Sequence, residues 1–229
     1  MIEKPKNKVV ISCGSLKAEL EKLEPKAHGI RVCYMPHNLH RLPDKMREML
    51  QEKINEFDTR DNQIVLGYGL CSNGVAGLKA PVNGFYVPRV HDCIALYLGS
   101  LERYHRFFRE RPGTYYLTKN WIENQKDPLG LLENEYTRRV GVEMARETIE
   151  RELKNYSYIC YINTGDKNEN KLRERAIENA KALGKEFIEV EGDNLYFRKI
   201  LFGPYEKKDF VYIEPNQISN YKNFFKKEN

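Results

Sequence analysis

Short apolar runs alternate with longer amphipathic stretches along most of this chain, and that alternation leaves few folds open. Residues 8–13 (KVVISC), 29–35 (GIRVCYM), 63–68 (QIVLGY) and 84–90 (GFYVPRV) are each short and rich in β-branched or aromatic residues, the signature of buried strands. Between the second and third runs, Met46, Met49, Leu50, Ile54 and Phe57 recur at helical spacing over 43–57. A second helix is expected over 92–109, carried by Ile94, Leu96, Leu98, Leu101, Tyr104 and Phe108. Further on the pattern predicts a strand at 113–117, a long helix over 129–153 softly interrupted at Gly141, and a strand at 156–162. It continues with a helix at 168–183, a strand at 186–190, a short helix at 194–202, a strand at 210–213 and a polar tail from Tyr221 that frays. The β-α-β-α order predicts an α/β fold: a mainly parallel sheet with helices on both faces, doubly wound and Rossmann-like. One domain over residues 1–220 is expected, with a soft lobe boundary near Lys154; two lobes sharing one sheet fit as well as two domains.

Composition enters where it bounds function. The chain has 229 residues, 41% hydrophobic and 31% charged, enough to bury a core without disulfide or metal staples. A metal here would be functional. The net charge of +5 is a modest excess of 38 basic over 33 acidic residues. Signs are mixed along helix faces, as where Lys171, Arg173, Arg175 and Lys181 stand beside Glu169, Glu174 and Glu178. No dense basic stripe with interleaved aromatics points to nucleic acid. The start is polar (Glu3, Lys4, Lys6, Lys8), which predicts no secretory signal. No apolar run approaches the roughly 18 residues of a membrane span. A cytoplasmic protein with reduced thiols is therefore expected. Five cysteines is an odd number with no disulfide-like spacing.

Three of those cysteines occupy equivalent places. Cys13 ends the first strand (ISCGS), Cys71 follows the third (GYGLCSNG) and Cys93 follows the fourth (RVHDC). Open α/β sheets bind ligands outside the carboxyl ends of their strands, and neighbouring strands lie about 4.8 Å apart. Three thiolates so placed can share one metal or three corners of an iron–sulfur cube. Gly14, Gly69 and Gly74 would let backbone approach a bound group, and Arg89 and Lys17 would offset thiolate charge. Predicted helix starts near each cysteine would lower the thiol pKa. The plain alternative is that strand-end cysteines are packed core thiols, which is how Cys33 and Cys160 read inside their apolar strands.

Polar residues near the same rim supply proton-transfer candidates. His37 and His40 follow the second strand, three residues apart, and fit either metal ligation or a loop that caps the next helix through Asp44. His91 stands two residues before Cys93, as a fourth ligand or a proton donor, with Asp92 placed to orient it. His28 and His105 read as surface residues. Residues 67–74 could also cradle an anion, but no Lys-Ser/Thr follows, so they form no P-loop. Tyr116, Lys119 and Trp121 could wall a pocket, and Asn163-Thr164-Gly165-Asp166 could add a polar edge.

Together, Cys13-Gly14, the His37/His40 loop, Gly67-Tyr68-Gly69-Leu70-Cys71, Arg89-Val90-His91-Asp92-Cys93 and Pro112-Gly113-Thr114-Tyr115-Tyr116-Leu117-Thr118 resemble the uncharacterised family of DUF1638 domain-containing proteins. The likeness spans at least residues 13–163. It implies an origin among anaerobic archaea and bacteria, sometimes beside corrinoid methyltransferase genes, and so sulfur or one-carbon chemistry. It assigns no catalytic residue.

Three functions remain open on these readings. The first is a metal-dependent lyase or transferase in which Cys13, Cys71 and Cys93 hold a [4Fe–4S] cluster with one open iron acting on a small-molecule substrate, His91, His37 or a tyrosine moving protons. The second is a zinc site on the same thiolates, for methyl transfer or thiol activation. The third is a non-catalytic module that docks a corrinoid or methyltransferase partner through the Trp121 region and the strand-end loops.

Overall fold

The structure is a computed structural model that describes residues 5–165 and 167–225. Its strands are β1 (Asn7–Cys13), β2 (Ile30–Met35), β3 (Asn62–Gly67), β4 (Phe85–Pro88), β5 (Thr114–Leu117), β6 (Tyr158–Asn163), β7 (Glu186–Glu191) and β8 (Phe210–Ile213). The mainly parallel α/β architecture expected from the alternation is present. The domain division differs from the expected one. The chain forms two compact units, one of residues 1–96 and 194–229, the other of residues 97–193. Each has its own sheet, and Lys154 lies inside the second unit. Helix–strand alternation runs unbroken through both crossings, so periodicity alone could not mark them.

In the first unit the sheet order is β2-β1-β3-β4-β8, parallel except for β8, which pairs antiparallel with β4. β1 and β3 are central and buried on both faces, as near-continuous apolar runs demand. One face carries Val9, Ile11, Ile64, Leu66, Phe85 and Val87. It is covered by the helix Pro43–Glu56, whose Met46, Leu50 and Ile54 recur every four residues and point inward. Burying each of these side chains contributes about 1.5–3 kcal/mol. Pro43 opens that helix at a position needing no backbone donor. The helix Leu195–Phe202, burying Tyr196, Phe197, Ile200 and Leu201, packs on β3 and on the short helix Lys17–Glu21. The tail expected to fray is ordered to residue 225: Asn220 caps a turn at Tyr221–Asn223 and Phe224 is buried. Residues 226–229 lie outside the described residues.

The second unit has the parallel order β5-β6-β7, with the helix Glu169–Ala182 burying Leu172, Ala176 and Ala180 against β6 and β7. The expected helix over 92–109 is two helices, Ile94–Tyr97 and Leu101–Glu110, parted at Gly99, whose φ is +73°. The interruption at Gly141 is a full break, with φ +79° and ψ 167°, ahead of the helix Val142–Leu153. The unit begins and ends together, since the Asp193 amide donates to the Tyr97 carbonyl at 2.8 Å. Among the described residues no helix is long and apolar enough to cross a membrane.

Candidate three-thiol site

The order β2-β1-β3-β4 reverses its direction of growth between β1 and β3. In open α/β sheets, the carboxyl ends beside such a reversal form the ligand crevice. Cys13 is the last residue of β1, and Cys71 and Cys93 lie in the segments that follow β3 and β4. All three belong to the first unit. The register pairs Ser12 with Gly67, so one step further sets Cys13 alongside Tyr68. Strand alternation then gives Cys13 and Tyr68 the face shared by Ile11 and Leu66, above the helix Pro43–Glu56.

Backbone hydrogen bonds tie the loops together. The Leu70 amide donates to the Val90 carbonyl and the Cys71 amide to the His91 carbonyl, both at 2.9 Å. Gly69 is the point of closest approach, where a Cβ would stand 2.9 Å from the Asp92 backbone. Cys71, Ser72 and Asn73 then form three consecutive left-handed residues, with φ of 47°, 55° and 65°. The turn is closed by the Gly74 amide on the Cys71 carbonyl at 3.0 Å. Only glycine adopts this region without steric cost, so a run of three non-glycine residues is an observed strain. At the Cys13 turn, a Cβ on Gly14 would meet the Met35 carbonyl oxygen at 2.6 Å and the His37 ring at 3.0 Å. The glycine thus lets His37 close over Cys13-Gly14.

The thiols feel one another. Burial pushes Cys71 up, and negative charge on Cys13 and Asp92 pushes it further. Cys93 is raised by burial, then by Cys71, Asp92 and Cys13. Cys13 is raised by burial and partly relieved by Ser15, whose hydroxyl lies 3.0 Å from its sulfur and whose backbone also bonds to it. The Gly69 backbone relieves Cys71 in the same way. The helix-start lowering expected from sequence is therefore reversed. Cys71 sits in a left-handed turn, the helices after Cys13 and Cys93 are only a turn or so long, and burial dominates. Burial alone does not distinguish a site, since it also pushes the core thiol Cys160 up to about 12. What sets Cys71 and Cys93 apart is the added charge of neighbouring thiols, Cys13 acting on both and Cys71 on Cys93. Metal-free, these thiols keep their protons at neutral pH; a cation would have to replace them. Among the described residues no three His, Cys, Asp or Glu side chains form a group fitted to a single metal ion.

Tyr68 completes the constellation, and sequence reading passed over it as part of a glycine-rich loop. It is 2% exposed, and burial followed by the charges of Cys13, Cys71 and Cys93 holds its phenol well above the usual range. Among the described residues its hydroxyl has no hydrogen-bond partner. The signal was the parity of Ile64, Leu66 and Tyr68 on the face that ends at Cys13. Ser15 was likewise legible only as a neighbour of Cys13-Gly14.

The remaining candidates fall in different places. His40 is half-buried and lowered by burial and Arg41, while Asp92 opposes the shift, so His40 communicates with the carboxylate nearest the thiols. Asp92 also caps the helix Ile94–Tyr97 by accepting from the Ile94 amide at 2.9 Å. The His91 ring is exposed and packs 5.1 Å from Phe225. Arg89, expected as a counter-charge, spends its guanidinium on the carbonyls of Lys207, Phe210 and Asn223. Lys17 stands over the Tyr34 ring at 5.6 Å. Cys33 packs against the core under β2. In the second unit, Trp121 meets Tyr115 edge-on at 6.3 Å and Asn163 donates to Glu189 at 3.1 Å. Asp166 lies outside the described residues.

A family model described as a protein of unknown function (DUF1638) matches residues 34–201. That stretch includes His37, His40, Tyr68, Cys71 and Cys93; Cys13 precedes it. No curated protein and no solved structure matches the chain.

Proposed function

Because the chain belongs to the DUF1638 family, whose description assigns no activity, we propose a function read from the site itself: Cys13, Cys71 and Cys93 hold a [4Fe–4S] cluster for sulfur or one-carbon chemistry. The observation that carries this reading is the set of three thiols at adjacent strand ends beside the switch point, Cys71 buried and Cys13 and Cys93 half-buried, with Cys71 and Cys93 raised by burial and then by the charge of neighbouring thiols. Deprotonating three neighbouring thiols is costly unless a cation compensates their charge. Three cysteines supplied by three separate strand ends span a cube more naturally than a compact zinc tetrahedron. With three protein ligands, such a cluster would supply one iron free to act as a Lewis acid toward a small substrate.

The chain's own residues have definite tasks under this reading. Ser15 and the Gly69 backbone steady the Cys13 and Cys71 sulfurs. The left-handed turn at 71–73 aims the Cys71 side chain, and the Cys71–His91 backbone bond fixes its distance from the Cys93 loop. His37, packed on Gly14, and His40, coupled to Asp92, are the groups placed to move protons. His91 serves the site through its backbone carbonyl.

Anaerobic purification, reconstitution and iron and sulfide analysis test the reading. About four iron and four sulfide per chain are expected, the content of a cube. Loading should be lost in Cys13→Ser, Cys71→Ser and Cys93→Ser and kept in Cys33→Ser and Cys160→Ser. A wild-type chain that stays iron-free, or that loads equally without the three thiols, ends the proposal. About one zinc per chain without iron would replace it with the zinc reading.

A further inference from the structure

We propose that the Tyr68 hydroxyl is the hydrogen-bond donor to an anionic sulfur or oxygen atom held among Cys13, Cys71 and Cys93, an inference that rests on the three-thiolate reading. Buried hydroxyls in folded proteins are almost always bonded, and an exception calls for a cause. Tyr34, Tyr136, Tyr205 and Tyr212 each donate to a carboxylate or a backbone carbonyl. The Tyr68 hydroxyl is fully shielded from solvent and, among the described residues, donates to no partner, not even to a neighbouring sulfur. Yet Tyr68 packs in one cluster with Cys71, with Cys13 packed against it, and the charge of all three thiols reaches it. The phenol directly follows the last β1–β3 pair, Ser12 with Gly67, and the Leu70–Val90 backbone bond holds the chain two residues on. An O–H donor kept without an acceptor, beside thiols that do not accept from it, fits an acceptor that arrives with the bound group.

Two sources supply the same acceptor chemistry: a sulfide belonging to the cluster, or a free anion at the open iron. Tyr68→Phe removes only the hydroxyl and distinguishes them. Wild type and variant are compared anaerobically, metal-free and after reconstitution with iron and sulfide. The metal-free variant is expected to melt at or above the wild-type temperature, because an unsatisfied buried group has been deleted. Both proteins should load equal iron. If the acceptor is a cluster sulfide, the variant's reduction potential becomes more negative without added ligand. If it is a free anion, that potential holds and affinity for added hydrosulfide falls about tenfold, the scale of one lost hydrogen bond. A variant that melts below wild type when metal-free overturns the inference, because the hydroxyl then serves the fold. So does a loaded variant whose potential and hydrosulfide titration both match wild type. A wild-type chain that takes up no iron defeats the cluster reading separately, and the metal-free melting comparison still decides the role of the tyrosine.

Discussion

The Cys71 amide donates to the His91 carbonyl at 2.9 Å, so the loops carrying Cys71 and Cys93 are joined two residues before the second thiol. The contact makes two of the three cysteines a single mechanical piece, with Gly69 pressed against Asp92 as its hinge point.

Gly69→Ala should separate that piece. Its Cβ would stand 2.9 Å from backbone atoms of Asp92, which yield less readily than a side chain. A loss of about 1–3 kcal/mol is expected, as for overpacking elsewhere. A lower urea midpoint together with reduced iron uptake would show that both fold and site depend on the close approach.

Ser72→Gly should act in the opposite direction. Ser72 is exposed and left-handed at φ 55°. Relief of about 1–2 kcal/mol of strain outweighs the roughly 0.5–1 kcal/mol that glycine adds in chain entropy. The urea midpoint should rise slightly with iron content unchanged.

Arg89→Ala tests a different assignment. The guanidinium reaches three carbonyls of the segment 207–223. A loss of about 1–3 kcal/mol is expected, with proteolysis near the C-terminal segment accelerated. Iron content measured on the folded variant at low temperature should match wild type. A selective loss of iron would instead return Arg89 to the site.

Stability of the metal-free protein should fall in alkali. The Cys13, Cys71 and Cys93 thiols are raised mainly by burial, above the unfolded value of about 8.5. Above that pH the unfolded chain releases protons that the folded chain retains. The thiol contribution is thus complete below about pH 8.5 and drains as pH climbs toward the raised values. Urea midpoints at about pH 7 and pH 9.5 should differ less in the triple Cys→Ser variant, which separates thiols from lysines and tyrosines.

Much of this was readable beforehand, for physical reasons. β1 to β4, the helix Pro43–Glu56 and the strand-end places of Cys13, Cys71 and Cys93 follow from local periodicity, which one sequence contains. What escaped depends on pairing or on burial. Nothing local tells that β8 runs antiparallel beside β4, or that the sheet ends there and a second begins with β5 and β6. The direction of the thiol shifts was misjudged because helix length and depth were both unknown. The carbonyl partners of Arg89 could not be foreseen because they lie more than a hundred residues away. Tyr68 was overlooked because an unpartnered hydroxyl exists only once every neighbour is in position.

The bond from Asp193 to Tyr97 means that residues 97–193 begin and end at one doorway in the chain and form a cassette. All three thiols are encoded upstream of that doorway. The five-stranded sheet needs only β8 and its preceding helix from the far side. Evolution could therefore trim, enlarge or exchange the cassette while the sulfur-bearing rim kept its spacing, and variation in chain length among relatives should concentrate there.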